Sequence, residues 1–382
     1  MIYLDYSATT PVDPRVLETM QPHFSASFGN PSSVHRYGQV AEAAVDSARE
    51  TAATVLNCKP EEIIFTSCGS ESDNLAIRGA AYALREKAGA KWILASQAEH
   101  PAVTKTLLHL QKYEGFLVEW LDVDEHGMVT PEIVSKAICD QTAIVSVMYA
   151  NNEIGTINPI KEIAAICRAN HILFHTDAVQ AAAYLPIDVQ ALGVDMMSLG
   201  AHKFYGPKGV GALYVRKGTP LVSHLTGGGQ EFSLRAGTQN VPYIVGFAEA
   251  LRLTSEERDE RVAHVKPLRD QIIGTVLETI PDSRLTGHMD SRLPHHASFA
   301  FQGVDGNLLL TLLDAAGFAC SSGSACKTGN PEPSEVMNAI GLSGEWGLGS
   351  LRVTLGVQTT PADVDSFLNV LPELVHKVRK LK

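Results

Sequence analysis

Short apolar runs, each ending in polar or glycine residues and followed by a helical pattern, recur through the first two-thirds of the chain. Ile63-Ile64-Phe65 leads into a Ser/Gly turn and a helix opening near Ser70. Trp92-Ile93-Leu94 leads through Glu99-His100 to a helix with Pro101 in its first turn, where a missing N–H is tolerated. Ala143 to Tyr149 precedes Asn151-Asn152-Glu153-Ile154-Gly155, and Ile172-Leu173-Phe174 runs on to Asp177. Met196 to Leu199 ends at Lys203, and Gly211 to Val215 closes the series. This alternation predicts a largely parallel sheet covered on both faces. Open α/β sheets bind ligands outside the carboxyl ends of their strands, where all these polar clusters fall.

A chain of 382 residues suits about two domains. The charged helix around Thr254 to Arg261 reads as the link to a smaller C-terminal α+β region. That region carries a strand at Ala297 to Phe301, a helix from Asn307 and the loop Ser321 to Pro333. A strand at Leu351 to Leu355 and a last helix from Pro361 follow.

The formal net charge of -11 disfavours a nucleic-acid partner, because neutralising phosphates takes a basic surface. No apolar run approaches a membrane span. The start, Met1-Ile2-Tyr3-Leu4-Asp5-Tyr6, has no basic stretch of the kind that opens a secretory signal, so a cytoplasmic location is expected. Cysteines at 58, 68, 139, 167, 320 and 326 form no C-x-x-C pair and no metal-finger spacing, which reads as free thiols and no metal.

Lys203 is the candidate for covalent chemistry. It follows an apolar strand, between Ser198, His202 and glycines, and a Schiff-base lysine needs such a fixed, partly desolvated stem. Asp177 ends a strand and could pair with a protonated pyridine nitrogen, or cap a helix through Ala178-Val179-Gln180. Ser70 opens a helix whose free N–H groups could take a phosphate, or is an ordinary cap. His100 could stack on an aromatic ring and move protons, or be structural. Asn152 is a turn residue or a ring-hydroxyl partner. The stretch Gly227-Gly228-Gly229-Gln230 to Arg235-Ala236-Gly237-Thr238 is a surface turn, or presents Thr238 to a phosphate across a subunit boundary. Cys326 lies in a small, polar loop beside Lys327, whose charge would favour the thiolate, while Cys320 ends an apolar run and reads as core. Arg352, between Leu351 and Val353, would hold either a substrate carboxylate or a structural Asp or Glu.

Taken in order, these motifs resemble the PLP (pyridoxal 5'-phosphate)-dependent cysteine desulfurases of the class-V aminotransferase group, with a Ser-Ser-Gly-Ser-Ala-Cys loop. The likeness spans nearly the whole chain. It runs from Tyr3-Leu4-Asp5-Tyr6-Ser7-Ala8-Thr9-Thr10-Pro11 and Gly29-Asn30-Pro31-Ser32-Ser33-Val34-His35 to Ser321–Cys326 and Leu351-Arg352. The resemblance implies an aspartate-aminotransferase-like fold, with a large PLP-binding domain over 16–256 and a small domain formed by 1–15 and 257–382. It implies that Lys203 bears the cofactor, Asp177 faces the ring nitrogen, Gln180 and Asn152 contact the ring hydroxyl, and His100 stacks on the ring. Gly69, Ser70, Ser198 and His202 would hold the phosphate, with Thr238 from the partner of a homodimer. Asn30 and Arg352 would hold the carboxylate of L-cysteine, and Cys326 would take its sulfur as a persulfide, leaving L-alanine. The sulfur would pass to acceptors such as an iron–sulfur scaffold protein or a tRNA-thiolation enzyme. The rival readings are a selenocysteine or cysteine lyase on this scaffold and a non-catalytic sulfur-transfer partner. Three departures stand out: Gly69-Ser70 replaces Ala-Thr with the hydroxyl kept, Phe232-Ser233 replaces a more basic, glycine-containing stretch, and Lys327-Thr328-Gly329 replaces small residues after Cys326.

Overall fold

The computed structural model describes residues 1–322 and 332–381. Seven strands form the central sheet: β2 (Ile63–Thr66), β3 (Trp92–Ser96), β4 (Leu117–Leu121), β5 (Thr142–Ser146), β6 (Leu173–Asp177), β7 (Met196–Gly200) and β8 (Gly211–Val215), in the order β2-β8-β7-β6-β5-β3-β4. All pairings are parallel except those of β8, which runs antiparallel to β2 and β7. The expected mostly parallel α/β sheet is therefore present. β4 is an additional edge strand whose mixed composition, Leu-Val-Glu-Trp-Leu, hid it in the sequence.

Alternate residues of each strand enter two different apolar layers. Met196 and Leu213 pack with Leu75, Ile77, Val103 and Leu107 of the helices Gly69–Ala88 and Pro101–Glu114. Met197 and Tyr214 pack with the opposite layer, which includes the helices Arg36–Leu56 and Val241–Thr279. This two-sided burial explains the near-continuous apolar runs. Each fully buried aliphatic side chain contributes about 2 kcal/mol, so the sheet frame is rigid enough to fix side chains at its edge.

The helix boundaries follow local chemistry. The Pro101–Glu114 helix starts with proline, is capped by His100 Nδ1 accepting from Ala102 N at 3.1 Å, and ends at Gly115 with φ +71°. The Gly69–Ala88 helix ends at Gly89 with φ +67°. A left-handed residue after the last turn is where glycine is favoured. The 39-residue Val241–Thr279 helix runs unbroken through the charged stretch at 254–261.

The C-terminal third builds an antiparallel sheet from β9 (Ser283–Leu285), β10 (His296–Phe301) and β12 (Ser350–Thr354), with β10 central. The helices Gly306–Ala315 and Pro361–Lys380 pack beside it. The first strand, β1 (Ile2–Tyr3), pairs in parallel with β11 (Phe318–Ala319). The N-terminal segment thus leaves this C-terminal region and crosses to the carboxyl edge of the large sheet.

Candidate active site

A cavity of about 420 Å³ opens where the carboxyl ends of β6 and β7 meet the N-terminal segment. β6 delivers Asp177 to its wall. The tight turn after it is held by Asp177 Oδ1 accepting from Val179 N at 2.9 Å, so Asp177 caps a turn rather than the helix that Ala-Val-Gln suggested. The short 3-10 turn Ala201–Lys203 after β7 delivers His202 and Lys203. Lys203 Nζ donates to Ser7 O at 2.6 Å and Ala8 O at 2.7 Å. Gln180 Nε2 reaches the same Ser7 carbonyl at 2.9 Å.

Opposite lies the start of the Gly69–Ala88 helix, with Cys68, Gly69 and Ser70 on the cavity wall. No side chain caps this 20-residue helix. A Cβ on Gly69 would stand 2.6 Å from Val179 Cγ2, so the helix start meets the Asp177 turn only with glycine there. His100, Asn152 and Arg352 complete the wall. Arg352 Nη2 donates to Asp5 Oδ1 at 2.8 Å and Nη1 to Asn152 O at 3.0 Å, while its buried Nε has no partner among the described residues. The structural acid weighed for Arg352 is present, as Asp5, and the arginine faces the cavity as well.

Burial sets the charges. It pulls the Lys203 amine down to about 8, helped by Arg352. It pulls His202 to about 4, with Lys203 and Lys208 adding to the effect. His100 is lowered by burial against the opposing pull of Asp177. Asp177 is raised by burial, while His100, the Val179 amide and Lys203 favour its ionised form.

These residues fit pyridoxal phosphate. An uncapped helix N-terminus is a natural phosphate site. The Lys203 amine can condense with an aldehyde, and a buried carboxylate with an oxygen to spare suits a protonated ring nitrogen.

Three expected site residues stand off the cavity wall. Ser198 does not line the cavity: it is fully buried within the sheet, its Oγ 2.9 Å from His175 Nε2. Asn30 is exposed, its Oδ1 accepting from Ser32 N at 3.0 Å. Thr238 is also exposed and off the cavity wall. Cys326 and Lys327 lie outside the described residues. Cys320 is partly buried and packs against the large apolar core, and burial raises its thiol. The cavity also uses residues to which the sequence assigned no role: Ser7, Ala8, Cys68 and Asp73. Ser7 and Ala8 sit near the chain start, and the β1–β11 pairing, the Asp5–Thr354 bridge and the Ser7 N to Thr354 Oγ1 hydrogen bond of 2.9 Å bring them here.

A fold and cavity of this kind define a PLP-dependent enzyme. The chain matches the Aminotransferase class-V family over residues 2–367 and belongs to it; its cofactor is pyridoxal 5'-phosphate. It is similar to a cysteine desulfurase IscS of Methanosarcina thermophila, 47% identical over 380 residues that cover 100% of this chain and 93% of that one. A solved NifS-like protein superposes with a TM-score of 0.91 at 36% identity, covering 98% of this chain and 99% of the other. SspA, solved in complex with cysteine, superposes with a TM-score of 0.81 at 35% identity, covering 94% of this chain and 100% of its own.

Proposed function

We propose that this protein, a PLP-dependent cysteine desulfurase, converts L-cysteine to L-alanine by passing the sulfur to Cys326. The observation that carries the reading is the convergence of Lys203, Asp177, Gln180, His100 and Arg352 on one cavity beside an uncapped helix N-terminus. Gly69, Ser70 and His202 hold the cofactor phosphate, and Asn152 and Gln180 face the ring hydroxyl. When bound, the cofactor supplies an electron sink for charge developing at the substrate Cα.

The remaining steps belong to the chain. Arg352 orients the substrate carboxylate through the part of its guanidinium that Asp5 and Asn152 leave open. Lys203 Nζ, displaced by the substrate amine, takes the Cα proton; a group that titrates at about 8 does this at neutral pH. The Cys326 thiolate attacks the substrate sulfur. The S–S bond forms as the C–S bond breaks, and the electron pair of that bond passes to the carbon side, which is protonated to alanine. His100 serves as a second proton carrier at the same wall.

The product, a persulfide on Cys326, suits hand-over to a sulfur-acceptor protein such as an iron–sulfur scaffold. A homodimer is part of the same reading, because Thr238 can serve the phosphate only from a partner copy. So is the division into a 16–256 domain and a 1–15 plus 257–382 domain, and a cytoplasmic setting. In support of the last, no helix among the described residues is long and apolar enough to cross a membrane. Borohydride reduction of the PLP-loaded protein followed by peptide mapping tests the site. The pyridoxyl mass belongs on Lys203; a label on another lysine overturns the assignment.

A further inference from the structure

Behind Asp177 lies a buried polar cluster that the steps above leave unused. The register of the sheet sets Ser146 beside His175 and Asp177 beside Ser198. His175 and Asp177 are two residues apart on β6, so both face the layer covered by the Gly69–Ala88 helix. Asp73 sits on the second turn of that helix. His175 Nδ1 lies 2.9 Å from Ser146 Oγ, and its Nε2 lies 2.9 Å from Ser198 Oγ and 3.6 Å from Asp73 Oδ1. Asp73 is 1% exposed and lines the cavity, and its Oδ1 has no hydrogen-bond partner among the described residues.

The groups facing Asp73 are Asp177 and His175 from β6, Ser198 from β7, Glu99 from the loop after β3 and Cys68 at the start of its own helix. None of them supplies a positive charge. Burial drives His175 down to about 3, so it is neutral. Glu99, whose Oε1 accepts from Met148 N at 2.6 Å, is raised by burial and by Asp177. The groups able to carry positive charge, His100 and Lys203, act on Asp177 instead. Neighbouring carboxyls in a dry site do not ionise together. Burial first, and Asp177 second, push Asp73 toward its protonated form, against a hydrogen bond from Ser198 that favours its charge.

We propose that Asp73 is a positioning residue for the cofactor reaction: a carboxylic acid that keeps its proton, so that the carboxylate charge of this floor resides on Asp177. The inference rests on the proposed pairing of Asp177 with the cofactor ring. Asp73 acts through Asp177. Its ionisation would drive a proton onto Asp177 and remove the counter-charge of the ring nitrogen.

The test uses PLP itself, with wild type, Asp73→Asn and Asp177→Ala. Infrared difference spectra between wild type and D73N at neutral pH are expected to show the C=O stretch of a carboxylic acid. A carboxylate band there overturns the proposal. PLP affinity is then measured by equilibrium dialysis as pH is raised. The amide stands for the protonated acid, so at neutral pH D73N is expected to keep PLP affinity within about three-fold of wild type. At the alkaline pH where the acid band disappears, wild type is expected to weaken by at least about ten-fold relative to D73N. Parallel curves, or a neutral-pH loss in D73N as large as that in D177A, overturn it. If D177A leaves PLP affinity and the absorption of the bound cofactor unchanged, the reading of Asp177 fails, a result distinct from failure at Asp73. Should D73N not fold, wild type with isotope-labelled aspartate carboxyls gives the same answer: a protonated aspartate at neutral pH in the PLP-loaded protein is expected, and its absence is contrary.

Discussion

The chemistry begins with an amine that must be neutral to react, and the structure fixes how readily Lys203 meets that need. An ordinary lysine titrates at 10.5, whereas burial, followed by the field of Arg352, brings Lys203 to about 8. At pH 7 an amine of pKa 10.5 is about 0.03% neutral and one of pKa 8 about 9% neutral, a gain of about 300-fold or about 3 kcal/mol. The perturbation is pH, with Arg352→Gln as a second arm. The assay mixes cofactor-free protein with PLP, quenches with borohydride at set times and reads pyridoxyl-Lys203 by mass. The capture rate in wild type is expected to level off above about pH 8 and to lie only about ten-fold below that plateau at pH 7. In R352Q the inflection moves to higher pH, because a cation that disfavours the ammonium form is gone. A wild-type rate still rising at pH 10 with the slope of an unperturbed lysine would refute the reasoning, since burial would then not be acting on Lys203.

Other expectations follow from buried charges and backbone strain. Glu231 is 4% exposed and accepts from Arg49 Nη2 at 2.8 Å, Arg49 Nη1 at 2.9 Å and Phe65 N at 2.8 Å. Glu231→Ala strands the Arg49 guanidinium in the core and should cost about 3–5 kcal/mol in urea unfolding; a loss under 1 kcal/mol would contradict this. Glu231, Phe232 and Ser233 all have positive φ, at 45°, 56° and 65°. Ser233→Gly relieves one strained residue and should stabilise the chain by about 1 kcal/mol, checked by the same unfolding curves. Glu153, largely buried with an unpartnered Oε2, is raised by burial from 4.5 to about 7. Its contribution is fully present below pH 4.5 and lost as pH rises to 7, so Glu153→Gln should match wild type in acid and exceed it above pH 7 by up to about 3 kcal/mol. A pH-independent difference would show that Glu153 is not the group titrating.

The strand-end chemistry was legible because each polar residue broke an apolar run at its carboxyl end. Asp177 and Lys203 stood out in that way, whereas His100 and Asn152, in loops after their strands, gave weaker signals. Residues within the runs were harder to read. The resemblance gave Ser198 to the phosphate, but the period of two along β7 turns it into the helix-covered layer against His175. His175 and Asp73 had no assigned role, since their meeting depends on strand register and helix placement. Asn30 and Thr238 belong to surface segments that one copy of the chain does not bring to its own cavity. Phe232-Ser233 was visible as a departure. Its cost became clear only from backbone angles that suit glycine, with the Arg49 guanidinium 4.8 Å from the Phe65 ring and 5.0 Å from that of Phe232.

The central claim is that sulfur leaves L-cysteine through Cys326. The most direct test measures alanine and sulfide released from L-cysteine with a thiol reductant, comparing wild type with Cys326→Ser, both loaded with PLP. The account predicts equimolar alanine and sulfide from wild type and loss of both in the variant. Equal activity in the two proteins, or no product from PLP-loaded wild type, would contradict it.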